Sequence, residues 1–276
     1  MPESSNLASS IRDVLAGWQQ AEPVSQNELR ALAARAKRVN EDAIEFLSNL
    51  EPVESEKHYI AMQLVRAAFD HGRGLLFLIE SNPADMGAPA LALHRTQIEN
   101  FLRGVYLGFI ATDEEMSDFL ENDSGIREKN HNDKWQHIGV TVLAERVELF
   151  VNNLSDDPLE DKAKFSRMVT NVWSPLCGLV HGGRAVHALY RDGQGQIGSD
   201  IPIDVLMQCV NNCYVITNFA FLVVIAHIYN LEGIPVDASL HRSLEDFMGL
   251  QRALRSKQLR AAPNNSFNPM PLRGTG

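Results

Sequence analysis

Cysteine is scarce in this chain: three residues in 276, Cys177, Cys209 and Cys213, with no CxxC pair. A disulfide framework or a thiolate metal cage needs more sulfur at closer spacing, so the three read as buried thiols in a reducing cytoplasm. Basic charge is short as well. Twenty-five Lys and Arg against 35 Asp and Glu leave a formal charge of −10, which repels a phosphate backbone at long range and removes the usual basis for non-specific DNA binding. The opening residues MPESSNLASSIRDVLAGW carry no basic stretch before an apolar core, so no secretory signal is expected. The one long apolar run, Cys213 to Tyr229, contains Asn218 and His227. It falls short of the roughly 20 residues a bilayer requires, and a buried central helix is expected instead.

Familiar catalytic signatures are missing too. There is no GxxxxGK[ST], no GxGxxG after a strand and no GxSxG, and GQGQIG at Gly193–Gly198 sits in a polar loop with no strand before it. A nucleotide-binding α/β fold is therefore excluded. His131 and His137 flank a polar stretch at a spacing unsuited to a helical metal pair, and the other histidines lack acidic or thiol partners. Neither a metal nor another cofactor is expected.

What the chain does have is helical periodicity. Apolar residues recur at the period of about 3.6, while strand-like alternation appears over no useful length. The expected fold is all-α, a multi-helix bundle with antiparallel long helices and a disordered C-terminal tail. A short helix is expected over about Leu7–Trp18, followed by one beginning at Ser25, where Glu28 completes an S-x-x-E capping box, and running to about Leu50. A third covers about Ser55–Ile79 and ends at SNPADMGAP, and a fourth spans about Ala88–Ile110 as its antiparallel neighbour. Thr112 and Glu115 form another capping box before a short acidic helix, and ENDSGIREKNHNDK reads as a surface excursion. Helices resume over about Trp135–Asn152 and Pro158–Val172. Ser174-Pro175 then starts a brief helix ending at His181, before long helices over about Ile203–Leu231 and Leu240–Leu259. The division is an N-terminal helical segment 1–54, a bundle core 55–260 and a tail 261–276 rich in Pro, Asn and Gly.

Two groups of residues look out of place. On the fourth helix Arg95 falls at the edge of the stripe formed by Leu91, Ile98, Leu102, Val105 and Phe109, and Glu99 and Arg103 follow at intervals of four. A charge on an apolar face must be paired, so this ladder is either an internal polar network or the floor of a ligand pocket. The second group is WSPLCGLVHGGRAVH, Trp173–His187. His181 ends a helix before two glycines: a cap with a tight turn, or an acid–base or phosphate-contacting imidazole with Arg184 close by.

ALHRTQIENFLRGVYL, within about Ala90–Leu107, together with LVHGG, within Trp173–Arg184, resembles a group of uncharacterised bacterial helical proteins similar to the HEPN superfamily of helical-bundle ribonucleases and abortive-infection toxins. The resemblance implies a bundle, often dimeric, with metal-independent RNA cleavage in active members. Those members carry an Arg followed four to six residues later by a His on one helix; Arg184–His187, three apart, is too close, and Arg127–His131, four apart, lies in the polar surface stretch and not on a helix. Three readings stay open. The first is a binding or regulatory bundle, such as a stress or phage-defence component, with Arg95, Glu99, His181 and Arg184 gripping a small anionic ligand. The second is a ribonuclease in which His181 acts as general acid or base and Arg95, Arg103 or Arg184 stabilises the developing phosphorane charge; the candidate catalytic residues are His181, Arg95 and Glu99, and the candidate ligand-binding residues Arg103 and Arg184. The third is a homo-oligomerisation module using the Phe219–Ala226 run.

Overall fold

Ser25 and Glu28 set where the first described helix begins. The Ser25 Oγ accepts the Glu28 N–H at 3.2 Å while the Glu28 carboxylate accepts the Ser25 N–H at 2.8 Å, so two of the four orphan donors of a helix start are satisfied reciprocally. The computed structural model describes residues 24–50, 55–122, 125–153, 164–190, 201–223 and 238–261. The helix expected over Leu7–Trp18, the loop at 191–200, the end of the long apolar run and the C-terminal tail lie outside them. Within the described residues the chain is all-α apart from one small hairpin.

α1 (Gln26–Ser48) buries Leu29, Leu32, Ala36, Val39 and Ala43. It packs on α2 (Glu56–Ser81), α8 (Ile203–Val223) and α9 (Ala238–Ala261). It thus shares one hydrophobic core with the bundle, although the sequence division assigns it to the N-terminal segment. Lys257 on α9 reaches Glu28 at 3.0 Å and ties the last described helix to the start of α1.

α2 and α3 (Pro83–Val105) are antiparallel neighbours, as expected, but no loop separates them. Asn82 alone both ends α2, its N–H bonding the Leu78 carbonyl, and caps α3 by accepting the Asp85 N–H at 3.3 Å. The stretch read as a terminator starts the next helix five residues before Ala88. Pro83 occupies the first helical position, where its missing N–H is not needed. The two helices approach closely where side chains vanish: a Cβ on Gly108 would lie 2.6 Å from Ala61 Cβ, and one on Gly104 3.2 Å from the Ala61 carbonyl oxygen. Past Gly104 the winding loosens into a π-helical turn, Tyr106–Ile110, closed by the Ala111 N–H on the Tyr106 carbonyl at 2.8 Å.

Thr112 and Glu115 cap α4 (Asp113–Asn122) as their spacing predicts. The next segment departs from expectation. Arg127–Lys129 (β1) and Trp135–His137 (β2) pair antiparallel, Lys129 opposite Trp135, around a turn with Asp133 at φ +58°. α5 (Val140–Asn152) therefore begins after Gly139 rather than at Trp135. Ion pairs from outside hold the hairpin: Arg127 grips the buried Asp118 of α4, and Arg146 of α5 reaches Glu128 at 2.7 Å.

α6 (Lys164–Val180) is one helix where two were expected, with Pro175 inside it. Pro175 is exposed and Phe165, Val169, Leu176 and Leu179 are buried. One apolar stripe passes behind the proline, and packing outweighs the lost hydrogen bond. Beyond Val180, Gly182 adopts φ +68° and the Gly183 N–H returns to the Gly178 carbonyl at 2.9 Å. This is the left-handed helix end that the paired glycines predict, and α7 (Arg184–Leu189) follows it.

α3 runs between two layers, with α2 and α8 on one side and α5 and α6 on the other. α8 carries the first half of the long apolar run, with Cys213, Ile216 and Ala220 buried as expected. Among the described residues no helix is long and apolar enough to cross a membrane.

Where α1, α2, α3 and α8 meet, the core is polar. Asn40 donates to Thr217 Oγ1 at 3.1 Å, Thr217 donates to the Cys213 carbonyl at 3.0 Å, and Gln97 donates to Cys213 Sγ at 3.1 Å. Gly72 makes the room: a Cβ there would sit 2.6 Å from Gln97 Nε2 and 3.1 Å from both Asn40 Nδ2 and Cys213 Sγ. Gly72→Ala is expected to destabilise the chain by about 1–3 kcal/mol through overpacking. Urea unfolding measures it, and an unchanged midpoint would show that the seam yields freely.

Candidate functional site

The residues singled out on α3 form a connected charged face. Intervals of four bring Arg95, Glu99 and Arg103 onto one side of the helix, at about 40° of offset per step. Arg103 Nη2 donates to Glu99 Oε1 at 2.5 Å, whereas Arg95 Nη2 stays 3.7 Å from Glu99 Oε2. One carboxylate therefore serves two guanidinium groups and is committed to one of them. None of the three is out in water: their side chains are 18%, 17% and 27% exposed in chain order. The Nε of Arg95 and of Arg103 is buried without a hydrogen-bond partner among the described residues.

α6 supplies the wall. Phe101 of α3 meets Phe165 of α6 edge-on at 5.7 Å, which locks the two helices together. Trp173 lies over Arg95, its ring centre 5.0 Å from Cζ. A tryptophan face is the best aromatic partner for a guanidinium and restores part of the cation's lost hydration. At the other end, Arg103 Nη2 and His137 Nδ1 lie 3.7 and 3.6 Å from the Cβ position that Gly125 leaves empty. Arg103 thus looks toward the hairpin. One turn beyond, Tyr106 accepts from Arg146 at 3.1 Å, and burial pushes its phenol up from the ordinary value.

His181 stands elsewhere. It is exposed at the end of α6, and its N–H bonds the Cys177 carbonyl. Eight residues separate it from Trp173, about 12 Å along a helix axis, and no described contact joins it to Arg95, Glu99 or Arg103. Arg184 opens α7 beyond the glycine turn. The structure thus gathers Arg95, Glu99 and Arg103 with Trp173, and keeps His181 at the helix end its sequence position indicates.

The thiols can be assigned. Cys209 and Cys213 are free and buried, and burial pushes Cys213 up to about 12 and raises Cys209 as well. Neither supplies a thiolate nucleophile at neutral pH. Among the described residues no group of three His, Cys, Asp or Glu side chains is placed to hold a metal.

Two features escaped the sequence reading. Arg66 and His71 stand five residues apart on α2, within the arginine–histidine interval the HEPN resemblance calls for. Arg66 is exposed and bound to Asp70 at 3.2 Å. His94 is fully buried, although it lies one turn from both Leu91 and Ile98 on the apolar stripe, a signal that was available. Its Nδ1 meets Gln97 Oε1 at 3.0 Å, its Nε2 has no partner among the described residues, and burial holds its pKa down to about 4.

No curated protein and no solved structure matches the chain. One family model does, over residues 65–245, a span that contains every α3 and α6 residue named above and more than half of the 276 residues. The chain belongs to this family, DUF6988, a family of unknown function.

Proposed function

We propose that this chain is a cytoplasmic binding or regulatory bundle, and that the charged face of α3 takes a small anionic ligand. The observation that carries the reading is the state of Arg95. Its side chain is 18% exposed, its Nε is buried without a hydrogen-bond partner among the described residues, and its Nη2 comes no closer than 3.7 Å to a carboxylate already held by Arg103. Unsatisfied buried donors cost about 1–3 kcal/mol each, so a fold that only needed helix packing would be served better by an apolar residue. A bound anion gives the arrangement a purpose.

The ribonuclease alternative has less behind it. The charge of −10 opposes a phosphate backbone, and the imidazole assigned to it, His181, has no described contact with the arginines. Service as a stress or defence component would be compatible with ligand binding and rests on the resemblance alone; a homo-oligomer would be compatible too and rests on the resemblance and the apolar Phe219–Ala226 run.

Thermal melting at fixed ionic strength tests the reading. An anion at ten times its dissociation constant contributes about 1.4 kcal/mol, which raises the midpoint of a chain this size by roughly 3–5 °C. Arg95→Met is expected to melt no lower than the parent without anion and to lose this shift. Arg103→Met should lose it too, because Glu99 is then free to neutralise Arg95. An equal anion-dependent shift in parent and Arg95→Met would end the proposal.

A further inference from the structure

We propose that the group received by Arg95 is a carboxylate, a planar oxyanion with a single negative charge. The inference rests on the reading of the α3 face as an anion site and narrows it to a ligand class. Three observations point the same way.

The first is the neighbouring pair. Arg103 and Glu99 show which partner a guanidinium takes on this face, a carboxylate at 2.5 Å. Arg95 stands 3.7 Å from the other oxygen of that carboxylate, an ion pair without a hydrogen bond. A second carboxylate would do for Arg95 what Glu99 does for Arg103. The second is orientation. Trp173 covers the guanidinium with its ring centre 5.0 Å from Cζ, so the usable donors lie in the guanidinium plane. A fork of coplanar N–H groups is matched by two oxygens in one plane, which a carboxylate and a bidentate phosphate both present, and charge decides between them.

The third is charge. Two guanidinium groups and one carboxylate leave one positive charge on side chains no more than 27% exposed. A carboxylate cancels it. A phosphate dianion would turn the cluster negative on a chain already at −10, where partial burial weakens screening. A phosphate diester shares the single charge but presents tetrahedral oxygens, and serves as the comparison.

Isothermal titration of the whole chain decides it, with acetate, benzoate, dimethyl phosphate and inorganic phosphate as probes. Benzoate and acetate are expected to bind one per chain. Arg95→Met should weaken them at least tenfold. Arg95→Lys should weaken them severalfold, since a point charge replaces the fork, and Glu99→Gln should tighten them severalfold by removing the competing carboxylate. Melting curves of each variant establish that it is folded. If dimethyl phosphate or inorganic phosphate binds in an Arg95-dependent manner more tightly than both carboxylates, the ligand class is wrong while the anion site stands. If none of the four binds better to the parent than to Arg95→Met, both fall.

Discussion

Glu148→Ala is expected to cost about 3–4 kcal/mol, the largest loss of any single substitution considered on this fold. The Glu148 side chain leaves α5 and crosses to the start of α6. There it accepts the Phe165 N–H at 2.6 Å, the Ser166 N–H at 3.2 Å and the Ser166 hydroxyl at 2.6 Å. These are donors at the first turn of a helix, where a negative charge also meets the positive end of the backbone dipole. Glu148 is 4% exposed and its partners Phe165 and Ser166 are buried. Truncation therefore strips the carboxylate from the buried Phe165 N–H and from the backbone and hydroxyl of Ser166, where little water can replace it, at about 1–3 kcal/mol for each bond to the charged group. Glu148→Gln keeps the shape and one or two of the bonds and should lose about half as much. Urea unfolding of the parent and both variants is the measurement. Alanine within about 0.5 kcal/mol of the parent would show that α6 does not depend on this cap. Because α6 carries Trp173, the same contact places the wall of the candidate anion site.

Legibility in the sequence followed the range of the forces involved. Ser25 with Glu28 and Thr112 with Glu115 were readable because a capping box closes within four residues, and Gly182 because its left-handed turn depends on its own backbone. Proline misled twice. By its local pattern Pro83 ends one helix, yet it begins the next, and Pro175 begins a helix by the same pattern, yet it lies within one. A proline's local preference suits several positions, and here the buried stripes decided between them. The hairpin was missed because three-residue strands give no alternation to detect. What holds them is the reach of Arg127 to Asp118 and of Arg146 to Glu128, which comes from elsewhere in the chain.

The candidate site divides along the same line. That Arg95 intrudes on an apolar stripe, and that Glu99 must serve two arginines, follows from helical spacing alone. That Trp173 covers Arg95 depends on which helices pack together, and no local pattern in α3 encodes α6 as the neighbour. His181 shows the converse. Its helix-end position was legible, but a distinctive local sequence did not bring it to the charged face.

Acid is expected to unfold the chain through His94 well before its surface carboxylates titrate fully. Gln97 donates its amide N–H to Cys213 Sγ and so turns Oε1 toward the ring, which makes His94 Nδ1 the donor and leaves Nε2 as a buried lone pair facing no donor among the described residues. Cys213, pushed up to about 12, stays a neutral thiol, and Gln97 is uncharged, so neither described neighbour compensates an imidazolium. Burial holds the folded pKa down to about 4, whereas in the unfolded chain it is about 6.5. Between those values the unfolded chain binds a proton that the native one refuses. Stability is therefore intact above about pH 6.5 and lost as pH falls toward 4, by about 3 kcal/mol in total. His94→Leu removes the proton site and leaves Gln97 Oε1 without its donor, an expected cost of about 1–2 kcal/mol at pH 7. Its advantage should appear on acidification. Unfolding free energies measured in urea from pH 7 to pH 4.5 should fall more steeply in the parent than in the variant, by up to about 1.4 kcal/mol per pH unit. The two curves should converge and then cross. Parallel curves across that range would mean that His94 takes up its proton in the folded state as readily as in the unfolded one, and the buried seam between α3 and α8 would then have to admit water.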